Sequence, residues 1–417
     1  MSRSRFSPQL LATLGGLPPL DGYRNTRTVL TISGRELTVV DLLKGAVVAN
    51  LPTLLVSGTG DAKTLLAKEV IARWFGGRAT VLRGDGGEPP VKAFLRTSFE
   101  RLFRREASSD EELIEATQRM GFSLVFIDEL NRGVIATLQN DLLSIVDGEI
   151  NYRGKVFRIG DGFCPVIAAM NLGDEYAAAH VLDDALLRRF PVVLDLDRFG
   201  PTLDDYALID PHPQRPPQES WLTEIKEAHE ELRLHDEPET GFKLASQYVL
   251  QHLNRCALLG KNKRQLVKAI PSLCESHNCP HMERQCHTVR TIPPATALGL
   301  VRVARVFQAV AEAQARHALE ASAASSIEQQ LADYLECFRV FLPLWNKLLL
   351  KEEEAVNSDE HAARIVAYIT ESFEKRSSAI VEVVTGGEDI DRADLGEWRP
   401  VVASLLQANR RPLRQVS

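Results

Sequence analysis

Between residues 39 and 197, short apolar runs rich in β-branched residues alternate with longer stretches of mixed polarity. Five runs, at 53–56, 79–83, 123–128, 165–169 and 192–195, read as strands. Most are apolar at nearly every position rather than at every second one, the mark of a strand covered on both faces. Such strands separated by helical stretches predict an α/β fold with a parallel sheet. The pattern breaks at Asp210-Pro-His-Pro-Gln-Arg-Pro-Pro, a run that suits neither helix nor strand and reads as a linker. Beyond it, apolar residues recur at the helical interval of three and four. Helices are predicted over 220–235, 243–259 and 295–319, then over 328–350, 361–376 and 395–409.

The chain therefore divides into three parts. Residues 1–209 hold an N-terminal arm and the α/β domain, 218–319 are helical with a Cys/His-rich insertion at about 256–287, and 320–417 form a C-terminal helical region. Between the second and third strands, 91–105 reads as an amphipathic helix with basic residues, either a plain surface helix or an insert projecting toward a partner, and 151–156 as a hairpin. Trp74, Phe75 and the apolar stripe 338–350 read as core, and Cys164 and Cys337 as small hydrophobes.

Composition narrows the setting. Of 417 residues, 44% are apolar and 25% charged, the make-up of a globular protein. No apolar run reaches the length of a membrane span. The opening Met1-Ser-Arg-Ser-Arg-Phe lacks a secretory pattern, so a cytoplasmic location is expected. A net charge of −7 counts against a whole-surface grip on nucleic acid. In a reducing compartment the six cysteines read as thiols or metal ligands.

The candidate chemistry starts after the first of these strands. Ser57-Gly58-Thr59-Gly60-Asp61-Ala62-Lys63-Thr64 opens the helix predicted at 65–75. Strand, glycine-rich loop and helix together make a phosphate loop, in which backbone N–H groups and the helix N-terminus face the phosphates. The lysine reaches the terminal phosphates and the threonine hydroxyl binds Mg²⁺. Ser57 and Ala62 stand where the strict pattern has glycine. Ala62 is expected to take ordinary helical angles, whereas Ser57 is costly if its position needs a positive φ. Asp61 puts a carboxylate in an anion-binding loop. The third strand ends in Asp128-Glu129. There the first carboxylate holds Mg²⁺ through water and the second orients or deprotonates the attacking water.

The motifs after this pair are more specific. Ile127-Asp128-Glu129-Leu130-Asn131-Arg132 is followed by Val166-Ile167-Ala168-Ala169-Met170-Asn171 and by Leu182-Asp183-Asp184-Ala185-Leu186-Leu187-Arg188-Arg189-Phe190. This order resembles the MoxR-type AAA+ ATPases over about residues 37–197. The resemblance implies an AAA+ P-loop domain followed by a helical lid and extra C-terminal helices. It implies that Asn171 is sensor 1, and that Arg188 or Arg189, with Arg189 the better match, is an arginine finger acting on a neighbouring subunit. Such a finger implies a ring, with a hexamer expected. ATP and Mg²⁺ are the implied cofactors, and a protein client, often beside a von Willebrand factor A domain partner, is the implied target. The lid lacks the family's Ser-Pro-Arg sensor 2 element, with Pro293, Pro294 and Ala295 in its place and Arg290 nearby.

Cys256, Cys274, Cys279 and Cys286 cluster with His277, His281 and His287 interleaved. Four Cys and His ligands suit a structural Zn²⁺, with Cys256 or one of the histidines completing the set. The leading expectation is an ATP-driven protein remodeller. Two alternatives stand beside it: a nucleotide-gated interaction ring with little hydrolysis, and a nucleic-acid motor of a defence or mobile-element system.

Overall fold

The computed structural model describes residues 6–58, 62–84, 89–104, 113–132, 136–152, 154–172, 183–207, 219–234, 238–253, 294–318, 325–349 and 358–410. Eleven strands are found among them. They are β1 (Thr28–Ile32), β2 (Arg35–Thr38), β3 (Thr53–Ser57), β4 (Thr80–Arg83), β5 (Leu95–Thr97), β6 (Ile114–Ala116), β7 (Val125–Asp128), β8 (Glu149–Tyr152), β9 (Lys155–Arg158), β10 (Val166–Asn171) and β11 (Val192–Asp195).

The five predicted core strands form one parallel sheet in the order β11-β3-β10-β7-β4. All five residues of β3 are buried, as are the first five of β10. Burial on both faces is why these strands read as continuous apolar runs. The strand order, with the glycine-rich loop leaving the second position of the sheet and helices around it, makes an α/β domain of the P-loop kind, and helices follow it toward the C-terminus. Register sets the geometry of the site. Ser57 pairs with Asn171, and Arg83 with Asp128, so the residues that end β3, β10, β7 and β4 lie along one edge of the sheet.

The helix Val39–Val48 starts at a capping box in which Thr38 and Asp41 exchange bonds, and it buries Leu42, Leu43, Ala46 and Val47. The helix Pro294–His317 packs on it and on the N-terminal helix Pro8–Gly16. The helix Ile327–Leu349 packs on Ser358–Glu374, on Thr240–Tyr248 and on β1. Its Asp333 is almost wholly buried. The carboxylate accepts from Ser33 N at 2.8 Å, Ser33 Oγ at 2.7 Å, Gln308 Nε2 at 2.6 Å and Gln329 Nε2 at 2.9 Å. That satisfied carboxylate ties the β1–β2 turn to the C-terminal helices.

Trp74, Phe75, Phe338 and Phe341 are fully buried, as expected of core. Cys164 and Cys337 are buried too. Burial pushes the Cys164 thiol up to about 12 and the Cys337 thiol well above its usual range, so both are unreactive packing groups. The 151–156 hairpin is present as β8 and β9.

The helix expected at 91–105 fails. The described residues of the predicted helix, 91–104, do not form one helix. They form a short 3₁₀ turn (Pro90–Ala93), the strand β5, and a six-residue helix, Phe99–Arg104. β5 pairs antiparallel with β6, about twenty residues later in the chain. Phe94 is buried, whereas Phe99 and Phe103 are 65% and 82% exposed. The aromatic residues thus share no common face, and a distant partner strand overrides the local helical period. Ser377–Thr385 and Val39–Val48 are helices without a sequence expectation.

Candidate nucleotide site

At the sheet edge formed by the strand C-termini, β3 runs into the glycine-rich loop and the helix Lys63–Trp74. Thr59, Gly60 and Asp61 lie outside the described residues, so the expectation for the Asp61 carboxylate lies there too. On either side of them the loop is defined. The Thr64 hydroxyl donates to the Asp128 carboxylate at 3.1 Å. These two side chains come from α/β units some sixty residues apart. They place two oxygen donors of the kind a hard divalent cation takes on the same spot.

Lys63 is buried, and its ammonium donates to Ser57 Oγ at 2.6 Å, Gly58 O at 2.5 Å and Ser57 O at 3.2 Å. The chain's own carbonyls and hydroxyl thus occupy the cation. The Gly58 N–H donates to both oxygens of Asp197, at 3.1 Å each, so Gly58 is held at both ends. Asp197 lies two residues past the end of β11, in the short helix Leu196–Phe199, and carried no signal in the sequence, because its link to the loop depends on β11 lying beside β3.

The backbone strain differs from expectation. Ser57 has ordinary strand geometry and is wholly buried, with no positive φ. Ala62 is the left-handed residue, with φ 58° and ψ 10°. Those angles favour glycine, and a Cβ there costs roughly 1 kcal/mol. Ser57 instead acts through its side chain. Replacing it by Ala removes the hydroxyl contact that helps hold Lys63 back. The expected result is about fivefold tighter nucleotide binding, since one net hydrogen bond is worth roughly 1 kcal/mol. A fluorescent-nucleotide titration measures this, and an unchanged or weaker affinity would count against the lysine being held back by Ser57.

Glu129 lies just past β7 with φ 53°, a second strained non-glycine residue. Its carboxylate pairs with Arg132 at 2.8 Å. Asn171 ends β10 beside Ser57. Its backbone carbonyl accepts from Asn131 Nδ2 at 2.8 Å, and the amide of the next residue, Leu172, donates to Ser57 O at 3.1 Å. The structure thus brings Ser57, Gly58, Ala62, Lys63, Thr64, Asp128, Glu129 and Asn171 to one edge of the sheet.

Arg188 and Arg189 are elsewhere. They precede β11, whose first residue Val192 pairs with Thr53 at the start of β3. They therefore lie at the opposite edge, one strand length (roughly 13 Å for the five residues of β3) from the phosphate loop. Arg189 Nε donates to both Asp147 oxygens at 2.8 and 2.9 Å, and Arg188 pairs with Asp184 at 3.7 Å. Both arginines line a cavity of about 310 Å³ with Pro52, Asp147 and Arg302. An adjoining cavity of about 610 Å³ shares Pro52, Asp147 and Arg302.

The four cysteines of the expected zinc site, Cys256, Cys274, Cys279 and Cys286, lie outside the described residues, as does Arg290. Among the described residues no group of three or more His, Cys, Asp or Glu is placed to hold a metal ion. Among them, too, no helix is long and apolar enough to cross a membrane.

No protein-family model matches the chain, and no curated protein matches it. Solved structures do. A candidate ATPase from Cytophaga hutchinsonii is 13% identical, with a TM-score of 0.42 over 69% of this chain and 86% of that one. A full-length MCM homologue from Methanopyrus kandleri is 14% identical, with a TM-score of 0.37 over 80% of this chain and 64% of that one. At these scores the likeness carries no argument, and the α/β fold with its glycine-rich loop stands on this chain's own strand order and register.

Proposed function

We propose that the chain is an ATPase of the MoxR type, which binds Mg–ATP between subunits of a ring and uses hydrolysis to remodel a protein client. The observation that carries this is the convergence of Lys63, Thr64 and Asp128 at one sheet edge while Arg188 and Arg189 stand at the other. In that reading the loop and Lys63 hold the phosphates. Thr64 and Asp128 hold Mg²⁺, which when bound neutralises charge on the β- and γ-phosphate oxygens. Glu129 takes the proton of the attacking water, and Asn171 positions that water. Arg189, with Arg188 beside it, cannot serve its own site across the sheet and acts on a neighbour's γ-phosphate. The hold of Asp147 on Arg189 is a partly exposed ion pair, worth roughly 0–1 kcal/mol, so an incoming triphosphate can take the guanidinium over. A von Willebrand factor A domain protein is the partner class that the family resemblance suggests.

Lys63 bound to its own loop and the strained Ala62 favour one second reading, a nucleotide-gated ring that hydrolyses slowly. Mg-dependent ATP hydrolysis, followed as protein concentration rises, decides. Specific activity that climbs with concentration and is abolished in Lys63→Ala supports the motor. Nucleotide-driven assembly without turnover supports the gated ring, and failure of the wild type to bind nucleotide removes both.

A further inference from the structure

We propose that Gly84 and Asn131 are positioning residues for Glu129, clamping its turn from two neighbouring strands so that the carboxylate is presented to the attacking water. The inference rests on the nucleotide reading of the site.

Three observations carry it. The first is the strain: Glu129 sits at φ 53°, a left-handed conformation that non-glycine residues keep only where the surroundings impose it. The second is the approach from β4. Gly84 follows Arg83, the last residue of that strand, and its N–H donates to Asp128 O at 2.8 Å. A Cβ at Gly84 would stand 2.1 Å from Glu129 O and 3.1 Å from Arg132 O. Both are backbone atoms, so neither can swing aside as a side-chain end would. Glycine at 84 is therefore what lets the Glu129 turn lie flat on the end of β4. The third is the approach from β10. Leu130 N donates to Ala169 O at 2.8 Å, and Asn131 Nδ2 to Asn171 O at 2.8 Å. Asn131 is only 3% exposed, and its Oδ1 has no hydrogen-bond partner among the described residues. A buried, half-satisfied amide is a poor way to stabilise a core, where an apolar residue of that size does better. Its use here is geometric: it ties the turn bearing Glu129 to the strand end bearing Asn171, so the two groups that act on water move together.

This arrangement separates hydrolysis from binding. Gly84 and Asn131 bear on the Glu129 turn and on the backbone carbonyls of Asp128 and Asn171 rather than on the side chains of Lys63, Thr64 or Asp128, so each acts on the position of the Glu129 carboxylate and leaves the side-chain contacts to phosphate and cation in place. A displacement of about 1 Å at a reacting group can cost on the order of 100-fold in rate.

The experiment compares wild type, Gly84→Ala and Asn131→Leu by nucleotide titration, ATP hydrolysis and thermal melting. The expected result is hydrolysis about 100-fold slower in Gly84→Ala and at least about tenfold slower in Asn131→Leu, with nucleotide affinity within about threefold of wild type. Asn131→Leu is expected to fold and to melt somewhat below wild type, because the gain from removing an unpaired oxygen is offset by the Asn171 carbonyl losing its donor. Hydrolysis within about threefold of wild type in both variants overturns the proposal, and so does a fall in affinity that matches the fall in rate. If Gly84→Ala does not fold, Asn131→Leu decides on the same criteria. A wild type that neither binds nor hydrolyses nucleotide overturns the nucleotide reading itself, and this inference with it.

Discussion

Glu129→Gln is expected to slow ATP hydrolysis by about 100- to 10,000-fold while nucleotide affinity changes little. The carboxylate lies one residue past Asp128, whose partner at 3.1 Å is the Thr64 hydroxyl. The cation-binding pair therefore remains whole in the variant. Glutamine fills the same space and can still bond to Arg132, but it cannot take a proton from water. The measurement is a steady-state hydrolysis assay beside a nucleotide titration. A variant that hydrolyses at the wild-type rate would show that the attacking water is activated elsewhere. A variant that loses affinity in step with rate would place Glu129 in binding rather than in catalysis.

Arg189→Ala is expected to have a comparable or larger effect, about 1,000-fold or more, because a guanidinium at the transferring phosphoryl group stabilises charge that develops only in the transition state. The position of Arg189 makes a sharper claim than the size of the loss. It sits before β11, across the sheet from Lys63, and so belongs functionally to another subunit's site. Two inactive proteins, Arg189→Ala and Glu129→Gln, should therefore complement each other when mixed and reassembled. In a random equal mixture about one interface in four pairs an intact Glu129 with an intact arginine, so roughly a quarter of wild-type activity should return. No recovery on mixing, in rings shown to exchange subunits, would sink the trans assignment. Arg188→Ala run in parallel distinguishes the two arginines. The larger loss identifies the one that reaches the phosphate, and Arg189, whose guanidinium already holds a carboxylate through both its oxygens, is the expected one.

Much of the architecture was legible because burial leaves a mark on residue choice. The runs that became β3, β10 and β11 are apolar at nearly every position since both their faces are covered. Asp128 and Glu129 stood out because two carboxylates at the end of a buried strand have no packing use. The long helices expected at 295–319 and 328–350 match the structure to within two residues at each end, since an apolar stripe at helical spacing is itself the reason they pack.

The failures share another cause. The stretch 91–105 carries helical spacing, yet β5 forms there because β6, far along the chain, offers it a partner. A local period cannot register a pairing made at a distance. The motif points to strain at Ser57 and none at Ala62, and the structure reverses this: Ala62 takes the left-handed angles, while Ser57 completes a strand and binds Lys63 by its hydroxyl. Gly84, Asn131 and Asp197 matter because of what lies against them, and that depends on the order β11-β3-β10-β7-β4.

By itself, then, the sequence determined the kinds of element, the sheet's parallel character and the residue types able to handle a phosphate and a divalent cation. Apolar patterning and motif spacing are properties of contiguous residues. Only the tertiary structure decided which strand ends share an edge, which edge the arginines occupy, and which backbone atoms press on Glu129. Those are set by register and close packing between segments that are distant in the chain, where a tenth of a nanometre separates a fit from a clash and no single segment records it.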